Sequence, residues 1–152
     1  MKMTEPILGK EVPLAQLMEL IQERLEMGKS VRFAPQGISM WPMLRQGIDS
    51  VVISPLPQTL KKYDLPLYRR DDGSFALHRI VQVGEVYTCV GDNQYQKETG
   101  VRKDQMIALV TAFYRGNKRH SVKNPAYWLY CRVNHYTRGL RHRYSKLKNR
   151  QK

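Results

Sequence analysis

At 152 residues, with 41% hydrophobic side chains, the chain is long enough for one domain with a proper core, too short for two comfortable ones, and too apolar for a disordered segment. Its net charge of +13 is concentrated at one end: residues 115–152 hold 12 Lys/Arg and no acid, whereas residues 1–114 are almost balanced. Two cysteines and no Cys/His cluster at ligand spacing argue against a disulfide framework and a structural zinc, and point to a reducing compartment.

The opening Met1-Lys2-Met3-Thr4-Glu5 has no continuous apolar stretch after it, so neither a secretory signal nor a membrane anchor is expected. The longest apolar runs, such as Met106 to Val110, fall far below the roughly 18 residues that span a bilayer. A cytoplasmic protein, peripheral at a membrane if it meets one, is the expectation. Leu14, Leu17, Met18, Ile21 and Leu25 recur at three- and four-residue steps and predict one amphipathic helix over about residues 13–27, stopped by Gly28. One helix is too few for a helix-turn-helix DNA reader.

Short strands with turn punctuation follow. Val31–Ala34 is the first, and Asp49–Ser54 the second, ended by Pro55 and Pro57. Leu65–Arg70 is the third, with Pro66 making it an edge strand or placing a break at its start. Asp71-Asp72-Gly73-Ser74 is a hairpin turn. Phe75–Val83, Val86–Val90 and Met106–Tyr114 complete the set. Five or six short strands joined mainly by hairpins predict a mainly β fold with an antiparallel, barrel-like core. The polar stretch 117–123 leads to Pro125, suited to a first helical turn. Trp128, Leu129, Val133, Tyr136 and Leu140 then form an apolar stripe at approximate helical spacing. The expected organisation is a helix-plus-β unit over 1–116 and a basic amphipathic helical tail over 117–152.

Three motifs carry the chemistry. Gly37-Ile38-Ser39-Met40-Trp41-Pro42 offers a hydroxyl on a turn, with Gly37 able to bend, Pro42 to stiffen and Met40 to anchor it. His78-Arg79-Ile80 offers an imidazole, and Gly91-Asp92-Asn93 an acid at a strand end. A serine hydroxyl becomes an effective nucleophile when a neutral imidazole takes its proton and a carboxylate holds that imidazole in the right tautomer.

The order and spacing of these motifs, over about Val31 to Val110, resemble the type I signal peptidases and their self-cleaving repressor-type relatives. His78 in place of a lysine base resembles the endoplasmic-reticulum and archaeal branch. The resemblance implies a coiled β catalytic core, a serine endopeptidase activity that trims a leader or precursor peptide, Ser39 as nucleophile, His78 as base, and no cofactor or metal. In that branch a second acid follows the Gly-Asp-Asn by about six positions. Here that position is Glu98, so Asp92 and Glu98 are both candidates for the orienting carboxylate. Gly37 stands two before the serine, where signal peptidases often carry a hydroxyl donor, so the oxyanion hole would rest on backbone N–H groups. Tyr63 stands where the family usually has Gly. Self-cleavage in the repressor manner is disfavoured, because neither Ala-Gly nor Cys-Gly occurs in the chain.

Each residue also has a plainer reading: Ser39 as a turn serine, His78 as a core histidine, Asp92 as a turn former, Glu98 as a solvated loop acid. His120, His135 and His142 read as solvated. The expected partners are a peptide or protein substrate and, through the basic tail with its stripe docked on the β core, an anionic membrane surface, with nucleic acid ranked second. A non-catalytic binding module recruited by that tail is the competing function.

Overall fold

The computed structural model describes residues 7–8 and 14–150. The opening residues 1–5, where no signal segment is expected, lie outside them. Helix α1 (Leu14–Glu26) forms where its periodicity predicts. It buries Met18 and Ile21 and half-buries Leu17 and Leu25. The longer α2 (Pro125–Arg150) starts at Pro125, with Asn124 Oδ1 accepting the Ala126 N–H at 2.8 Å as a cap.

Between the helices the chain is mainly β, but the strands do not close into a barrel. Seven strands form one sheet: β1 (Ile7–Leu8), β2 (Val31–Phe33), β3 (Ser50–Ser54), β4 (Pro66–Arg69), β5 (Phe75–Leu77), β9 (Met106–Arg115) and β10 (Lys118–Ser121). All pairs are antiparallel except β1 with β2. The long β9 is its spine, pairing β3 on one edge and β4 then β10 on the other. A second sheet of three antiparallel strands contains β6 (Arg79–Val83), β7 (Tyr87–Val90) and β8 (Glu98–Val101).

The expected single strand Phe75–Val83 is therefore two strands in two sheets, and they part at His78. Leu77 pairs with Leu67 in the large sheet, whereas Arg79 pairs with Val90 in the small one. That change of sheet leaves the barrel open, and among the described residues it leaves β5 as a free edge at one end of the large sheet. Pro66 opens β4, which lies inside the sheet, so the break at its start is the form its missing N–H takes.

Tyr63, just before β4, adopts φ of 76°. A side chain in this left-handed region costs roughly 1–2 kcal/mol, which is why glycine suits the position. The ring is held by Arg132 of α2, its guanidinium 4.8 Å from the ring centroid, and by His135 edge-on at 5.7 Å. Tyr63→Ala keeps the strain and loses both contacts. Tyr63→Gly loses the contacts but relieves the strain, so it should be the more stable variant by about 1 kcal/mol in urea unfolding; equal stability would remove the strain argument.

The main core gathers Phe33, Val51, Ile53 and Val110 from the large sheet with Met40 and Met43 from the serine loop. Tyr127 and Cys131 of α2 belong to the same cluster, so this helix shares the core of the β unit. Its buried face is not the expected one. Tyr127, Cys131, Asn134 and Arg138 point inward, while Leu129, Val133, Tyr136 and Leu140 remain more than half exposed. The inward face is polar because its partners are polar, as the site shows.

Candidate active site

Ser39 lies in the turn-rich loop that follows β2, half-buried, on a segment whose next residues Met40 and Met43 are sunk in the core. Gly37, at φ of 90°, supplies the bend before it. The loop is held at both ends. At its far end Asp49, almost fully buried, takes three hydrogen bonds of 2.8–2.9 Å from the Arg45 side chain and backbone, and one of 2.8 Å from the Gly116 N–H. At Ser39 itself the Asn93 N–H donates to the Ser39 carbonyl at 2.8 Å, and Asn93 Nδ2 to the Ile38 carbonyl at 3.2 Å. A Cβ on Gly91 would stand 2.6 Å from that same Ser39 oxygen. The Gly91-Asp92-Asn93 turn is thus pressed against the serine loop, and only glycine permits the approach.

His78 is buried at the junction of β5 and β6. Its Nδ1 lies 3.0 Å from Glu98 Oε1 and 3.3 Å from the Tyr68 hydroxyl. Glu98 opens β8 and is itself fixed: Arg70 grips both its oxygens, Nη2 to Oε1 at 2.6 Å and Nε to Oε2 at 3.0 Å, and the Tyr68 hydroxyl donates to Oε2 at 3.0 Å. Of the two candidate acids, Glu98 is the one on His78, and it is not the solvated loop acid of its plainer reading. Tyr68 and Arg70 are the residues sequence reasoning missed. Tyr68 lies in β4 and Arg70 directly follows it, and nothing local marks Glu98 as their partner.

Asp92 is engaged elsewhere. Its side chain is fully buried against Arg79, with Nε to Oδ1 at 2.8 Å and Nη2 to Oδ2 at 2.7 Å, and the Tyr130 hydroxyl adds a third bond at 2.9 Å. It makes no hydrogen bond to His78 among the described residues. Arg79 also donates to the Tyr63 carbonyl, the Tyr127 hydroxyl and Cys131 Sγ. Desolvation opposes its charge, but Asp92 beside it outweighs this and holds the guanidinium firmly protonated. Helix α2 grips the same turn: Asn134 Nδ2 and Arg141 Nη1 both donate to the Asp92 carbonyl, and Arg138 Nε to that of Gln94.

Burial pulls the His78 pKa below its ordinary 6.5, with Glu98 partly opposing this and Arg70 reinforcing it, so the imidazole is neutral near pH 7. The Arg70 hydrogen bonds hold the Glu98 carboxyl below its usual range against the cost of burial. Burial and the nearby Glu98 charge raise the Tyr68 hydroxyl well above its usual value, so it stays a donor. Cys89, also buried and close to Glu98, is pushed up to about 12 and remains a thiol.

Ser39 and His78 line one cleft of about 780 Å3, with Phe75, Ala76 and Leu77 of the free edge β5 along one wall and Leu17 of α1 at another. No hydrogen bond joins the two side chains. Ser39 Oγ and His78 Nε2 are both without a hydrogen-bond partner among the described residues. The three other histidines are not simply solvated: His120 stacks on Phe113, His135 meets Tyr63 edge-on, and His142 stacks on Tyr95 with centroids 3.9 Å apart. No protein-family model, no curated protein and no solved structure matches the chain.

Proposed function

We propose that the chain is a serine endopeptidase of the signal-peptidase-like kind, cutting a peptide bond in a leader or precursor peptide through an acyl-enzyme on Ser39. The observation that carries this reading is the relay Arg70/Tyr68–Glu98–His78 opening onto the cleft that Ser39 lines. Glu98 on Nδ1 selects the tautomer that leaves the Nε2 lone pair free to take a proton. Ser39 Oγ attacks the scissile carbonyl carbon as its proton passes to His78 Nε2. The tetrahedral oxyanion is met by backbone N–H groups of the serine loop, of which those of Ser39 and Met40 are unused among the described residues. The C–N bond breaks, His78 returns the proton to the leaving amine, and water then releases the acid by the same route. The free edge of β5 gives an extended peptide a strand to pair with beside the imidazole. A preference for a small residue before the scissile bond follows by analogy alone. The missing Ser39–His78 hydrogen bond is compatible with this chemistry, since such contacts commonly tighten only around substrate.

A fluorophosphonate serine probe tests the reading. Modification should map to Ser39 and follow a titration with its acid limb below pH 6.5, where His78 protonates. Glu98→Gln removes the charge that raises the His78 pKa and should move that limb to lower pH, with a plateau at least about tenfold lower because the tautomer is no longer held. Modification elsewhere, or a limb indifferent to Glu98, would leave a binding module instead. Folding stability has the same sign. The unfolded chain binds more protons between the depressed value and 6.5, so stability rises with pH through that window and is lost as pH falls through it.

A further inference from the structure

The outward face of α2 is unused by the fold, and its composition is specific. Leu129, Val133, Tyr136, Leu140, Tyr144 and Leu147 follow one another at three- and four-residue steps and are 52–73% exposed. At 100° per residue they fall within roughly a quarter of the helix circumference, on the side away from Tyr127, Cys131, Asn134 and Arg138. Arg143 and Arg150 border one side of this stripe and Lys148 the other, and every residue from 143 to 150 is exposed. Among the described residues no helix is long and apolar enough to cross a membrane.

We propose that α2 lies flat on an anionic lipid bilayer, its outer stripe sunk among the acyl chains and its basic borders on the headgroups. Charge complementarity selects this occupant. A second copy would bring two +13 chains together with arginine rows face to face. A nucleic-acid backbone would satisfy the charges and leave six large apolar side chains with nothing to bury them. A bilayer of anionic lipid accepts both faces at once. The inner face of α2 is already fixed to the Asp92 turn, so the helix is folded before it meets lipid and loses little order on binding.

Co-sedimentation of the full chain with phosphatidylcholine vesicles, with and without phosphatidylserine, tests this. Binding is expected only with phosphatidylserine, should weaken with added salt, and should fall at least about tenfold in Leu140→Glu/Tyr144→Glu, whose changes touch neither the core nor the site. Equal binding to both vesicles, binding retained by the double variant, nucleic-acid binding that survives it with no vesicle binding, or a lipid-free dimer that it abolishes would each overturn the proposal. Ser39→Ala should bind vesicles as wild type does, so this surface stands or falls apart from the peptidase reading.

Discussion

Ser39→Ala is expected to lower cleavage of a susceptible peptide by roughly ten-thousand-fold, and His78→Ala by a similar factor. The two changes remove one proton-transfer step, so the double variant should be no worse than either single one. Additive losses would mean that the residues act separately. Their effects on folding should differ. Ser39 is half-buried and its hydroxyl makes no hydrogen bond among the described residues, so its loss should leave the unfolding midpoint near that of wild type. His78 is buried between two sheets and holds Glu98, so its loss should cost about 1–3 kcal/mol as well. Cleavage that persists within tenfold in the folded Ser39→Ala protein would end the acyl-enzyme mechanism.

The largest stability effect should come from Asp92. With the Asp92 carboxylate gone, Arg79 keeps a charge in a site where its side chain is 1% exposed. Breaking a buried, bidentate pair by removing one partner typically costs about 3–5 kcal/mol, a large share of the roughly 5–15 kcal/mol that holds a domain together. Asp92→Ala should therefore shift the urea midpoint far down. Arg79→Met/Asp92→Leu, which removes both charges and keeps the volume apolar, should recover most of the loss. An Asp92→Ala protein within about 1 kcal/mol of wild type would show that Arg79 finds water or another partner.

How much of this could be read beforehand differs from element to element. Helix α1 and strand β9 were legible because long periodic patterns survive tertiary context. The parting of Phe75–Val83 at His78 was not: alternation runs on through a residue where the chain changes sheets, and no local residue marks the change. The strands β8 and β10 are short and polar, Glu98-Thr99-Gly100-Val101 and Lys118-Arg119-His120-Ser121, and they are ordered by their neighbours rather than by their own pattern. Ser39, His78 and Glu98 were all nameable in advance. Choosing between Glu98 and Asp92 required knowing which cation each would meet, Arg70 or Arg79. The orientation of α2 failed for a related reason. A rule that turns apolar faces inward misjudges a helix whose inner partners are a carboxylate and two carbonyls.

That inner face also sets a timetable. The ribosome delivers Tyr127, Tyr130 and Asn134 after every strand has emerged, so the guanidinium at position 79 and the loop that follows β7 wait for their last ligands until the second helix is made. A nascent or clipped molecule lacking that helix would carry all three reactive side chains and still lack the brace that keeps the hydroxyl in place. On the proposed peptidase reading such a fragment should be inert, and cleavage should require a chain that extends through that helix.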